Sequence, residues 1–305
     1  MSDTRTVFLF ISTGRCGTQW LASNLSELYG ERAAVTHEPL GPLYRPRLFF
    51  RSYEDTGALA ATPEVAAHLE RVDALPRERL YVETGWPLFA AVPLFVERFG
   101  SRLAVIHLTR HPVPTSISHM VHQCYAGSPR DDGYTRLAAL DPGCPRVFQP
   151  EYAARWSEMS PYEKCLYWWT EVHLYGLEIQ SRYPEIPFLR CKSEDVLSAD
   201  PDTLERLADF LHLDADRELA ARVDRPVDRW NHRSWIEFDW RQIFDHPRAL
   251  AVAEVLGYNP GSVEDERLEQ RYVGPPHLAG VPSETPPSEL PGSLRAGFAD
   301  GPKEQ

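Results

Sequence analysis

The sequence predicts an α/β fold, a single domain with a central parallel sheet flanked by helices. Three observations carry this. Short apolar runs with strand character recur along the chain, at 6–11, 33–39, 79–84, 102–110 and 186–192. Segments with helical spacing separate most of them. The first strand candidate also runs straight into a glycine loop and a helix, the connection expected of a parallel βαβ unit.

The elements follow in order. TVFLFI (6–11) reads as a buried strand. Trp20, Leu21, Leu25 and Leu28 give the stretch Thr18 to Tyr29 a helical stripe. AAVTHEP (33–39) is a short second strand, and residues 40–60, rich in Pro, Arg and aromatics, show no period. Residues 63–72 and 87–100 suggest helices around the strand RLYVET, the second closed by Gly100. RLAVIHLTR is the most strand-like run, and a helix opens after it at Pro112, where a first turn tolerates proline. Residues 126–158 read as a long irregular insertion, 161–183 as a long helix, 186–192 as a strand and 201–213 as a helix. The domain expected is 1–272. The tail 273–305, rich in Pro, Gly and Ser, is expected to add little to the core. There is no internal repeat.

Composition narrows the function classes. The chain has 305 residues, 43% hydrophobic and 25% charged, and a net charge of -12. That acidity argues against a general nucleic-acid binder. Five cysteines without CxxC pairing (Cys16, Cys124, Cys144, Cys165, Cys191) suggest free thiols in a reducing compartment. The first apolar run is too short for a signal-peptide core or a membrane span. The expectation is a cytoplasmic protein with no membrane span. Oligomeric state is not legible.

Two motifs carry chemistry. In STGRCGTQW (12–20) a glycine loop ends at a helix N-terminus, a geometry that binds anions through backbone N–H groups, here those of Cys16 and Gly17 among others. Arg15 adds a fixed positive charge, Thr18 and Gln19 can donate hydrogen bonds, and Trp20 offers a flat face for a purine or a core ring. The loop lacks the Lys-Ser/Thr ending of an ATP-binding P-loop. In HLTRHPVPTSISHM (107–120) Arg110 ends a strand and Ser118 lies two turns into the next helix, both suited to a second phosphate. His111, His119 and His122 also invite a metal reading, but the phosphate reading explains the segment without one.

Taken together, these motifs resemble the sulfotransferase family, whose donor is 3′-phosphoadenosine 5′-phosphosulfate (PAPS) and whose nucleotide product is 3′-phosphoadenosine 5′-phosphate (PAP). Arg15, Gly17, Thr18 and Trp20 match the family's first loop, which holds the 5′-phosphosulfate, and Arg110 and Ser118 match its 3′-phosphate pair. RCKSEDVLSADPDTLERLADFLHLD (190–214) is similar to the late strand, acidic turn and helix, and AVAEVLGYNP (251–260) to the usual ending. The resemblance spans about 6–260 and implies a P-loop-like architecture and no metal. Many members carry Lys where Arg15 stands. The late basic, glycine-containing loop that completes the 3′-phosphate site is not plain, and DRWNHRS (228–234), with Arg233, lies in about its place.

Three residues compete as general base: Glu38, His37 and Glu83. The resemblance favours Glu38, since some members carry a catalytic glutamate at this separation from the first loop. The ordinary pKa of His37 suits neutral pH. Glu83 stands where other members carry a histidine. The irregular segments around 40–60 and 126–158 are expected to set acceptor specificity as lids, the acceptor being a small molecule, glycan or lipid. The rival functions are a P-loop small-molecule kinase and a non-catalytic nucleotide- or partner-binding member of the same fold.

Overall fold

The computed structural model describes residues 5–126, 138–213, 217–222, 233–235 and 237–274. Five strands, β1 (Val7–Ile11), β2 (Ala33–His37), β3 (Leu80–Thr84), β4 (Leu103–Thr109) and β5 (Phe188–Lys192), form one sheet in the order β2-β3-β1-β4-β5. Every pairing is parallel. All five residues of β1 and all seven of β4 are buried, as parallel strands covered on both faces must be.

The strand period of two sorts these apolar runs onto two cores. On one face Val7, Leu9, Ile11, Leu103 and Val105 pack beneath α2 (Pro63–Asp73), α3 (Val92–Phe99) and the long α5 (Pro161–Arg182). On the other, Phe8, Phe10, Ala104, Ile106 and Leu108 pack beneath α1 (Thr18–Tyr29) and α6 (Pro201–Phe210). Helix α4 (Pro112–Val121) lies against α5, with α7 (Pro247–Val255) and α8 (Asp265–Tyr272) completing that side.

The strands and helices expected from the sequence are all present, with two differences of shape. Residues 87–100 are not one helix: a 3-10 turn (Pro87–Ala91) precedes α3. Pro93 has no N–H, so it fits only a first turn and fixes where α3 starts. The aperiodic 40–60 stretch holds short helical turns at Gly41–Tyr44, Pro46–Phe49 and Thr56–Ala60, two of them opened by prolines. It is joined to the later irregular segment: Arg51 donates to the Arg146 carbonyl (2.6 Å) and Arg146 to that of Phe50 (3.0 Å). Residues 127–137 of that later segment, and most of the C-terminal tail (275–305), lie outside the described residues.

The strand order fixes where a ligand would sit. From β1 the chain passes through α1 to β2 on one side, and from β4 through α4 and α5 to β5 on the other. The order reverses between β1 and β4, and the crevice of such a sheet opens at the carboxyl ends of those two strands. Both sequence motifs lie there. Among the described residues, no helix is long and apolar enough to cross a membrane.

Candidate active site

The loop from β1 to α1 turns through left-handed backbone at Gly14 (φ 79°), Arg15 (φ 58°) and Gly17 (φ 79°). At Gly14 the glycine is obligatory on two counts: its φ, and Trp86, whose Cδ1 would lie 2.9 Å from an added Cβ. Helix α1 has glycine at its N-cap, no side-chain cap and no acidic residue in its first turn. The first intrahelical bond runs from Leu21 N to Gly17 O (2.9 Å). The N–H groups of Thr18, Gln19 and Trp20 therefore precede the helix ladder and, with the helix dipole, favour an anion.

The two motifs converge. Arg15 Nε donates to Ser118 Oγ at 3.0 Å across 103 residues of chain. Arg110 Nη1 donates to the carbonyl of Arg15 at 2.6 Å, and its Nη2 reaches the Tyr272 hydroxyl at 3.4 Å. Two guanidinium groups, a serine hydroxyl and an uncapped helix end thus share one edge of the sheet. That donor set suits an anion with more than one phosphate-like group. His119, next to Ser118, is buried, and burial with the neighbouring Arg15 and Arg110 pushes its pKa down to about 3. A neutral ring there adds no third charge. Cys16 is buried too, its thiol within 3.1 Å of the Gly14 carbonyl and its pKa pushed up by burial to about 11.

Beside this edge, β2 ends at His37, and Glu38 follows it. His37 Nε2 lies 3.2 Å from Thr18 Oγ1 and 3.7 Å from Glu38 Oε1. Glu38 is itself left-handed (φ 49°), with its N–H held by the Thr84 carbonyl (3.0 Å). Gly85 lets it approach, because a Cβ there would lie 2.6 Å from Glu38 Cγ. Thr84 Oγ1 donates to the Thr18 carbonyl (2.9 Å), locking the end of β3 to the first turn of α1. Burial lowers the pKa of His37, against the opposing pull of Glu38 and Glu83, so the ring is neutral at pH 7.

The other candidate side chains have different surroundings. Glu83 is wholly buried within β3. It accepts from Tyr44 (2.8 Å) and Tyr81 (2.5 Å) and lies 3.3 Å from His68 Nε2. Trp20 is buried in the same core layer as Phe10 and Leu21, and its Nε1 has no hydrogen-bond partner. Gln19 is partly exposed on the first turn of α1. Arg233 is exposed, but its neighbour Ser234 pairs with the end of α8: Ser234 N donates to Tyr272 O (3.0 Å). The remainder of 228–232 lies outside the described residues. His111 Nε2 lies 3.0 Å from the Asn259 carbonyl. Among the described residues no group of three His, Cys, Asp or Glu side chains is placed to hold a metal ion.

Sequence reasoning missed three contributors. Tyr272 reaches Arg110 from more than 150 residues away. Trp168 and Trp169, on α5, donate to the carbonyls of Thr13 (3.1 Å) and Arg110 (2.9 Å). The only signal for the pair was the unusual Trp-Trp step in a long helical stretch.

No protein-family model matches the chain, and neither does any curated protein. Among solved structures the chain is similar to a sulfotransferase from Alicyclobacillus acidocaldarius, at 15% identity and TM-score 0.46, covering 84% of this chain and 97% of that one. It is also similar to the sulfotransferase domain of the curacin biosynthetic pathway (14%, TM-score 0.43, 84% and 98% covered). Mouse sulfotransferase SULT7A1, solved with PAP, is similar at 14% identity and TM-score 0.42, with 88% and 90% covered. Likeness of this degree assigns the chain no activity.

Proposed function

We propose that this protein transfers a sulfuryl group from PAPS to a hydroxyl, or an amine, of a small-molecule, glycan or lipid acceptor, releasing PAP. The observation that carries the reading is the convergence of Arg15, Ser118 and Arg110 at an uncapped helix end. A nucleotide phosphorylated at both 5′ and 3′ positions needs two anion subsites on one edge, and this donor set supplies two arginines for them. The sequence at 12–20 lacks the Lys-Ser/Thr ending that a kinase would need for ATP and magnesium.

The roles follow from position. Glu38 accepts the proton of the acceptor hydroxyl. The freed electron pair forms the new oxygen–sulfur bond, while the bond from sulfur to the bridging phosphate oxygen breaks. That oxygen keeps its electron pair, and Arg15 with the first turn of α1 stabilises the charge. Arg110 and Ser118 hold the 3′-phosphate. His37, neutral, supports the Thr18 hydroxyl through Nε2. Glu83 is assigned no part in proton transfer, because both its oxygens are committed to tyrosines. The joined segments around 40–60 and 138–158 are the proposed acceptor lids.

Differential scanning calorimetry tests the donor. PAP is expected to raise Tm, and ATP, which lacks a 3′-phosphate, to raise it much less. Equal shifts would overturn the reading. A shift that appears only with ATP and magnesium would revive the kinase.

A further inference from the structure

The two halves of the proposed donor site come from loops about 95 residues apart in sequence, yet both are tied to one turn of one helix. Trp168 Nε1 donates to the carbonyl of Thr13, just before the glycine loop, at 3.1 Å. Trp169 Nε1 donates to the carbonyl of Arg110, at the end of β4, at 2.9 Å. Consecutive residues on an α-helix point about 100° apart, so adjacent side chains diverge and can reach two different targets. Both indoles are almost completely buried, Trp168 at 3% and Trp169 at 0% exposure.

Each ring is itself fixed. Trp168 meets Trp86 edge-on (5.1 Å between centroids, planes at 90°), and Trp86 is the ring against which Gly14 lies. Trp169 meets His173 edge-on at 4.6 Å, and His173 Nδ1 is 2.8 Å from Nε2 of His107, a β4 residue. Gly176 makes room for His107, since a Cβ there would come within 2.6 Å of the imidazole. Helix α5 therefore holds both the loop carrying Arg15 and the strand end carrying Arg110 through two indole N–H groups, in addition to the direct bond from Arg110 to the Arg15 carbonyl.

We infer that Trp168 and Trp169 are positioning residues that set the separation of the two phosphate subsites. The inference rests on the donor reading above and goes beyond it. Two charges held at a fixed spacing discriminate a nucleotide with two phosphates from one with a single phosphate. A pure packing role for the rings would not affect that discrimination.

The test uses the full chain with Trp168→Phe and Trp169→Phe, which keep an aromatic ring and remove the N–H. Kd is measured calorimetrically for PAP and for adenosine 5′-phosphate, well below Tm. Trp168→Phe is expected to weaken both nucleotides alike, by about fivefold, as loss of one hydrogen bond would. Trp169→Phe is expected to weaken PAP by a similar factor and to leave adenosine 5′-phosphate nearly unchanged, so the preference for PAP shrinks. Both variants should lower Tm, as any ring truncation would. A lowered Tm with unchanged affinities would overturn the inference. If either phenylalanine variant does not fold, benzothienylalanine at the same position swaps only N–H for sulfur and must give the same split.

If the wild-type chain shows no preference for PAP, the donor reading fails, and the clasp is then tested without ligand by amide hydrogen exchange. Trp168→Phe should speed exchange at Gly14. Trp169→Phe should speed it at His111, whose N–H is held by Glu194 Oε1 (2.8 Å). Exchange unchanged at both amides would overturn the clasp.

Discussion

Glu38, just beyond the end of β2, and Glu83, within the neighbouring β3, invite the same chemistry, yet the fold treats them oppositely. Glu38 stands just beyond the end of β2, its side chain partly exposed, in left-handed backbone that Gly85 makes room for. Glu83 lies inside β3, paired in register with Leu9 and Thr36, and has no solvent exposure. Tyr44 and Tyr81 donate to its two oxygens. One carboxylate stands at the edge of the crevice with its side chain partly open to solvent. The other holds the Gly41–Tyr44 turn onto the sheet. Position along a strand, not residue type, separates a partly exposed carboxylate from a fastening.

The largest effect expected from this contrast is on turnover at Glu38. Glu38→Gln should lower sulfuryl transfer by roughly 10²- to 10⁴-fold, the usual worth of a positioned general base. Its partial exposure predicts a Tm close to that of the wild type, and PAP affinity should be retained. Labelled-sulfate transfer and calorimetry on the same sample give both numbers. Near-normal transfer would move the base role to His37. That residue's lowered pKa keeps it neutral, and able to accept a proton, throughout the neutral range.

Glu83→Gln should show the reverse pattern, with the loss in stability. An amide offers one acceptor oxygen where the carboxylate offers two, so either Tyr44 or Tyr81 loses the oxygen it donates to, and of the two Tyr81 also has His68 Nε2 within 3.0 Å. The expected cost is about 1–3 kcal/mol in denaturant unfolding, the price of an unsatisfied buried group. Transfer rates measured below the melting range should change little. A collapse of turnover at unchanged Tm would put Glu83 back in the chemistry.

How far this contrast was legible in the sequence differs between its two sides. The strand ends were readable, because apolar runs broken by Gly, Pro and charge mark where parallel strands stop. That was enough to place Arg15, Arg110 and His37 at one edge of the sheet. The burial of Glu83 was not, since YVET gives alternation but not what covers each face. Its cover is Tyr44, in a segment with no period. Trp168, Trp169 and Tyr272 were illegible for a similar reason. Each is a helix residue whose partner lies about 60 to 160 positions away, and helical spacing reports a buried face without naming what it meets.

A third carboxylate sharpens the comparison, with the smallest expected effect. Glu171 on α5 is completely buried and accepts from Phe148 N (2.8 Å) and Gln149 Nε2 (3.2 Å), tying the later irregular segment to the helix. Burial, against those two hydrogen bonds, pushes its pKa up to about 7 from an ordinary 4.5. Between those values the folded chain holds a proton that the unfolded chain has released. This contribution to stability is therefore greatest at acid pH and declines as pH rises from about 4.5 to about 7. Above that window the fold carries a buried charge. Glu171→Gln removes the charge, and Gln149 can turn its amide oxygen toward the new N–H. The variant should match the wild type near pH 5 and exceed it by about 1 kcal/mol near pH 8. A variant less stable than the wild type at pH 8 would show that the ionised carboxylate is itself the better partner for Phe148 and Gln149. Glu171 would then be a fastening of the same kind as Glu83.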